Sequence, residues 1–444
     1  MSRIFYADLF LPLAIFLANI FIQNYNLGKL VQVFTDEGVY LYSAKLLTDG
    51  LTPYKDFFLG QPFYVLIIPA FFLILGNFDI NIFHLFYTLW FFSIIFPLYF
   101  IMLKLTKSRL ATVSALVLFS TYQELVQWGA HQLDLRQTSL PFLAFSLYFI
   151  YVREKSKTAA LFLALFAICI VTNLALSLIL IGAILLRKKR GGPFLITFGL
   201  ITTVSYLILF IIPNSIDNVM LYQLNRPFLP YEIRWEWLWN QIGTNWPIFL
   251  FGLAGSLIFN AQIRLLGIFN LLSLIFIVFI GSNFYQHYLT ILSISLSICA
   301  AVLISYLSSL HLKFAVILLI ILGIYQSSFN NLKYQLIEKT TPEFFTAVNI
   351  IKNMSGTLFT FEPIYGLYAE KDLTFHYYVA DMRYFRVMGT NLNNQTYLDI
   401  LNNSSTVLLE PFAISKIPPD IQDYIRGNFN LVYQDTTQQI YTSY

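Results

Sequence analysis

Charge is what this 444-residue sequence lacks: Asp, Glu, Lys and Arg together make up 11% of it. A soluble domain carries about 25% charged residues, so a water-soluble globular fold is excluded. Cysteine is scarcer still. Cys169 and Cys299 are the two in the chain, and both sit inside apolar runs, which excludes a disulfide framework and a thiolate metal centre. No small-residue cleavage site follows the first apolar run, 9–22, so this run reads as a retained span rather than a removed signal peptide. The apolar runs also lack midplane charges and recognisable repeated halves, which a transporter is expected to show.

What is present is hydrophobic residue, 57% of the chain. Apolar runs near the roughly 20 residues that cross a bilayer recur from residue 9 to residue 329. The pattern predicts an all-α polytopic membrane protein. Its expected spans are 5–23, 81–103, 110–127, 137–152, 158–172, 174–186, 194–212, 243–260, 265–281, 288–307 and 312–329. One further piece, 62–75 (PFYVLIIPAFFLIL), is short and carries Pro62 and Pro69, as interfacial or re-entrant segments do. If 62–75 does not cross, 13 Lys/Arg and two acids, Asp8 and Glu154, fall on one side. The opposite loops before residue 330 then hold six Lys/Arg and ten acids. The positive-inside rule therefore predicts eleven spans in a plasma membrane and a cytoplasmic N-terminus. The 24–80 loop falls on the outside. Net charge, +4, says little about partners, and no nucleic-acid partner is expected.

After Phe329 the composition changes, so the chain divides into a membrane domain, 1–330, and a small extracytoplasmic α/β domain, 331–444. Two β-rich runs, TLFTF (357–361) and STVLL (405–409), are each followed by Glu-Pro, as buried parallel strands ending in a turn would be. Helix-like segments lie near 342–353 and 418–427. The final NLVYQDTTQQIYTSY reads as a hairpin around Asp435–Gln438. Asn353, Asn394, Asn402 and Asn403 begin glycosylation-type tripeptides.

The first outside loop places Asp36 and Glu37 side by side in TDEGVYLYSAKLLTDGLTPYKDF (35–57). Thr35 or Asp36 can cap a short amphipathic helix with apolar Val39, Tyr42, Leu46 and Leu47, ended by Gly50 and Pro53. Such a helix suits the membrane surface, and an acidic first turn needs no further role. Successive helical side chains point about 100° apart, so the pair cannot flank one bond as glycosidase carboxylates do. If one of them is catalytic, it acts singly.

DEGVYLYSAKLLTDGLTPYKDFFLGQPF resembles the first external loop of GT-C membrane glycosyltransferases. The closest likeness is to the dolichyl-phosphate-mannose protein mannosyltransferase-like group, which includes the aminoarabinose transferases. YQHYLTILSISLSICAAVL (285–303) and LFTFEPIYGLYAEKD (358–372) extend the resemblance over most of the chain, and Gln61-Pro62-Phe63 departs from it. The resemblance implies an inverting enzyme that moves a sugar from a polyprenyl-phosphate donor to an acceptor hydroxyl on protein, lipid or glycan. Asp36 matches the family's catalytic base and Glu37 stands as its helper. Phosphate is already a good leaving group, so one carboxylate base suffices. The departing charge needs cations, for which Lys55, Arg136, Arg226 and Arg234 are candidates.

The second external loop, QELVQWGAHQLDLRQ (123–137), offers His131 and Asp134, with Glu124 a weaker acid. Family members carry a second acidic position here, sometimes tied to a divalent ion, so Mg, Mn or Zn held by His131, Asp134 and Asp36 is one expectation. The plainer alternative pairs Asp134 with Arg136. Trp235, Trp237 and Trp239 alternate in 213–242 and suit membrane-interface anchoring. Tyr54, Asp56, His287 and Tyr288 are further candidates for the site. The rival functions are a transporter, a non-catalytic envelope-assembly protein and an oligosaccharyltransferase. The last typically carries a Trp-Trp-Asp motif, and this chain has no Trp after Trp246.

Overall fold

The computed structural model describes residues 2–24, 36–122, 133–185, 192–226, 228–258, 261–280, 286–312, 342–374 and 393–443, with a few isolated positions between 314 and 325. The chain divides into two compact units. One comprises Met1–Leu27, His84–Leu209 and Pro227–Ile337; the other comprises Gly28–Phe83, Phe210–Arg226 and Glu338–Tyr444.

The first unit is a helical bundle. The expected spans up to 288–307 are mostly helical where described, with short breaks at 93–94, 121–122, 170, 212, 245 and 257–258, and 312–329 lies largely outside the described residues. Ile80–Thr106, Gly192–Ile211, Ile263–Ile280 and Thr290–Ser309 are each long and apolar enough to cross a membrane. Gly192–Ile211 buries only 22% of its apolar window inside the protein, leaving Ile196, Leu200, Leu207 and Ile211 exposed. Apolar surface of this extent belongs in hydrocarbon. The architecture is that of a polytopic membrane protein.

Small residues let two helices of this unit approach closely. A Cβ on Gly255 would run into the Cys299 carbonyl oxygen, and one on Gly252 would fall 2.8 Å from that of Leu296. The Trp246–Ser256 and Thr290–Ser309 helices therefore pack backbone to backbone, as membrane helices with small residues do. Between the Ser156–Cys169 and Val171–Leu185 helices, Ile170 is extended. The buried Asn173 amide satisfies the break by donating to the Phe166 carbonyl at 3.1 Å and to the Ser139 hydroxyl at 2.9 Å.

Ion pairs mark one end of the bundle. Arg109 meets Asp8 at 2.7 Å and Lys104 meets Glu154 at 3.1 Å. Exposed pairs of this kind add little stability. They do bring Asp8 near the start of the chain to Arg109, and Lys104 to Glu154.

The second unit holds a four-stranded sheet of order β1-β2-β4-β3, with β1 Leu358–Phe359, β2 Thr406–Leu409, β3 Asn430–Gln434 and β4 Gln439–Thr442. β1 and β2 run parallel, and β3 and β4 form the expected antiparallel hairpin. Asp435 closes its turn, the Asp435 N–H donating to the Gln438 carbonyl at 3.0 Å. Each Glu-Pro starts a helix: Pro363–Tyr368 after Glu362, and Pro411–Lys416 after Glu410. Proline at a first helical position gives up only an N–H that lacks a partner there anyway. Pro342–Lys352 and Pro419–Asn428 fill the two predicted helical stretches. The 62–75 piece is a short turn, Phe63–Leu66, running into an Ile67–Leu75 helix. At 1.5 Å per residue it is roughly 20 Å long, short of the roughly 30 Å hydrocarbon core.

Candidate active site

In the second unit a helix runs from Asp36 to Thr48. Its end is the one predicted: Gly50 adopts φ +85°, the Leu51 N–H reaches back to the Leu46 carbonyl at 3.1 Å, and the Gly50 N–H reaches that of Leu47 at 3.2 Å. Glycine tolerates this left-handed cap without strain. Of the apolar face whose pattern suits the membrane surface, Tyr42 and Leu46 are covered by protein while Val39 and Leu47 stay half-buried. Leu41, Tyr42, Ala44 and Leu46 are buried, and the helix packs on Ile67–Leu75 and Pro363–Tyr368.

The two acids differ sharply in environment. Glu37 is only 2% exposed, whereas Asp36 keeps a solvent-facing surface. Their 100° separation sends one carboxylate into the unit and leaves the other at its edge. The Glu37 charge lies beside Tyr368, whose hydroxyl is pushed upward by burial and then by Glu37 and Asp79.

Lys55 is presented by a tight turn in the same unit. Tyr54 is fully buried at φ +69°, and its hydroxyl donates to the Gln61 carbonyl at 2.9 Å. Asp56 accepts from the Thr52 N–H at 2.8 Å. With Tyr54 and Asp56 engaged in the turn, the Lys55 ammonium is left exposed. The 214–226 segment braces this loop: Gln223 donates to the Gly60 carbonyl at 2.5 Å and Asn214 to that of Tyr54 at 3.3 Å. A Cβ on Gly60 would come within 2.7 Å of the Tyr222 ring. Arg226 lies 4.7 Å over that ring and donates to its hydroxyl at 2.9 Å. Lys55 and Arg226 thus border one loop.

The remaining candidates belong to the first unit. Asp134 caps the Leu135–Tyr148 helix, its carboxylate accepting from the Arg136 N–H at 2.6 Å. Burial pushes this carboxyl up, against the pull of Arg136. The Arg136 guanidinium stacks 3.1 Å over the ring of buried Tyr288. Arg234 has no exposed surface. It donates to the Leu229 carbonyl at 2.9 Å and the Val278 carbonyl at 2.8 Å, and lies 3.6 Å over Phe228. On their helix, Trp235 and Trp239 share an exposed face, while Trp237 packs against the bundle core. His131, Glu124 and the side chain of His287 lie outside the described residues. Among the described residues no group of three His, Cys, Asp or Glu is placed to hold a metal ion.

Comparison with solved structures agrees with this architecture along its full length. The chain superposes on ArnT from Cupriavidus metallidurans bound to undecaprenyl phosphate with a TM-score of 0.69 and 11% identity, over 98% of this chain and 97% of that one. The apo state of the same ArnT gives 0.68 and 12%, over 99% and 98%. The chain has the ArnT fold. No family model and no curated protein sequence matches it, so sequence identity this low shows the fold alone. The fold expected from the DEGVYLYS motif, that of the GT-C aminoarabinose transferase-like group, is the one found.

The sequence did not reveal what seats the Asp36–Thr48 helix on the ArnT fold. In the sequence Gly38 and Lys45 occupy ordinary helix positions and Tyr42 an apolar one. The available signal was their spacing together with the second motif, FEPIYGLYAEKD, in a distant part of the chain.

Proposed function

We propose that the chain is an inverting glycosyltransferase that uses a polyprenyl-phosphate-linked sugar, with Asp36 as the base. One observation carries this reading: the fold is shared end to end with an ArnT crystallised with undecaprenyl phosphate. Asp36, with its exposed surface, takes the proton of an acceptor hydroxyl. The acceptor oxygen attacks the anomeric carbon from the face opposite the phosphate. The bond from that carbon to the phosphate oxygen breaks, and the lipid leaves as its monophosphate. Lys55 and Arg226 meet the charge that develops on this phosphate, and Glu37, buried, holds the first turn of the helix. In this reading the site lies outside and the N-terminus is cytoplasmic, as the Lys/Arg count of the loops favours. The acceptor is a hydroxyl on protein, lipid or glycan.

The test is a membrane assay offering several polyprenyl-phosphate monosaccharides, with products followed by mass spectrometry. Asp36→Asn is expected to abolish transfer while expression and membrane insertion persist. Near-normal transfer by that variant would remove Asp36 from the role.

A further inference from the structure

Residues 38, 42 and 45 lie at i, i+4 and i+7 of the Asp36–Thr48 helix, so they form a single stripe. Every member of the stripe meets the 364–373 segment. A Cβ on Gly38 would lie 2.9 Å from the Ile364 backbone nitrogen and 3.0 Å from the Ile364 Cβ. The buried Tyr42 hydroxyl accepts from the Leu373 N–H at 2.9 Å. Lys45 bridges Asp49 and Asp372, each at 2.9 Å. The segment receiving the stripe is itself fastened to the sheet. The Leu358 N–H donates to the Asp372 carbonyl at 2.9 Å, and the Thr374 N–H donates to that of Leu358 at 3.0 Å. The Lys371 N–H closes the preceding helix on the Gly366 carbonyl at 2.8 Å.

We propose that this stripe fixes the rotation of the Asp36–Thr48 helix about its own axis, and that Tyr42 is thereby a positioning residue for sugar transfer. This rests on the reading of Asp36 as the base. Side chains reach about 5–6 Å from a helix axis, so a rotation of about 20° swings the Asp36 carboxylate by roughly 2 Å. Reacting groups must be held more tightly than that, within about 0.5 Å, and a misplacement of about 1 Å can cost a hundredfold in rate. The three contacts contribute differently. Gly38 sets how closely the helix approaches, and the half-exposed Lys45 pairs are individually weak. The Tyr42 bond is buried and directional, so it defines the angle.

The experiment uses the full chain in native membranes and in detergent. Wild type, Tyr42→Phe and Ile351→Val are compared; Ile351 is a fully buried core residue of the same unit outside the stripe. Tyr42→Phe is expected to lower kcat at least tenfold per folded molecule while KM for the polyprenyl-phosphate sugar stays within twofold. Ile351→Val is expected to keep the wild-type kcat. A Tyr42→Phe kcat within twofold of wild type would overturn the inference and leave the functional reading standing. Equal losses in both variants would also overturn it, because they report stability alone. If wild type transfers no sugar from any donor, it is the functional reading that fails. Hydrogen exchange of the 36–48 amides then decides the fastening: faster exchange in Tyr42→Phe than in Ile351→Val supports it, and equal exchange overturns it.

Discussion

The Tyr42 hydroxyl accepts its hydrogen bond from the backbone N–H of Leu373, 331 positions away in the sequence. The bond ties DEGVYLYS to the residue directly after FEPIYGLYAEKD, two of the stretches in which the family likeness is carried. They are two faces of one packed contact in the second unit, which gives the likeness a physical reason. A helix carrying the proposed base is useful only if something rigid fixes its angle.

Gly38→Ala tests that contact through stability. Replacing a helical glycine by alanine normally gains about 1 kcal/mol from propensity. Here the added Cβ would meet Ile364 backbone at 2.9 Å, and overpacking of this kind costs about 1–3 kcal/mol. The clash is expected to win, lowering the thermal unfolding midpoint of the purified protein. Gly243→Ala, where a Cβ meets nothing within 4 Å, is expected to raise it or leave it unchanged. The same direction in both variants would mean that propensity alone decides.

A second prediction concerns pH. The parallel register pairs Leu358 with Thr406 and Phe359 with Val407; continued at the same offset, it brings Glu362 alongside Glu410. Both are buried. Burial, and then the charge of Glu362, pushes the Glu410 carboxyl well above the ordinary range. The fold therefore holds a proton that the unfolded chain releases near its normal value of about 4.3. The stability this contributes is fully present below that value and is lost as pH rises through the folded value. Glu410→Gln, which needs no proton, is expected to protect the 405–443 amides from exchange equally at pH 5 and pH 8, once intrinsic rates are corrected. The wild type is expected to be less protected at pH 8. A pH-independent wild type would contradict this.

The second acid of the external loops separates a cap from a ligand. Asp134 accepts from the Arg136 N–H at the start of its helix, and asparagine caps a helix about as well as aspartate. Asp134→Asn is expected to leave the unfolding midpoint unchanged and the transfer rate within about twofold. Asp134→Ala is expected to lose about 1 kcal/mol of stability. A large loss of transfer in Asp134→Asn, together with sensitivity to a chelator, would instead favour the metal expected from the family likeness.

Much of the fold was legible in the sequence because it is written locally. Long apolar runs became helices, Gly50 ended its helix, and β-rich runs before Glu-Pro became parallel strands. The site was legible only in part. Nothing near Glu37 announces that it is buried while its neighbour Asp36 is not, because the covering residues come from 363–373. Tryptophans that alternate in sequence suggest one belt, yet on a helix Trp235 and Trp239 share a face that Trp237 does not. Arg234 has the composition of a phosphate ligand, and its burial depends on Leu229, Phe228 and the distant Val278. Periodicity shows which face is apolar but not what covers it.

That last point separates the four candidate cations by kinetics and stability. Lys55 is exposed on its turn, so Lys55→Gln is expected to change stability by less than about 0.5 kcal/mol. Losing a charge-assisted contact to the donor phosphate costs about 1.5–3 kcal/mol, so its kcat/KM for the donor is expected to fall at least tenfold. Arg226→Gln is expected to act in the same direction, with an added stability loss from its Tyr222 contact. Arg136→Gln gives up its stack on Tyr288, and the change in its donor KM shows whether phosphate competes for that guanidinium. Arg234→Gln is expected to do the opposite of Lys55→Gln. The Leu229 and Val278 carbonyls lose a charged donor in a site without solvent, and stability should fall by about 2–4 kcal/mol. Whatever Arg234→Gln protein remains folded is expected to keep the wild-type donor KM. A raised KM in Arg234→Gln with an unchanged unfolding midpoint would return that arginine to the phosphate site.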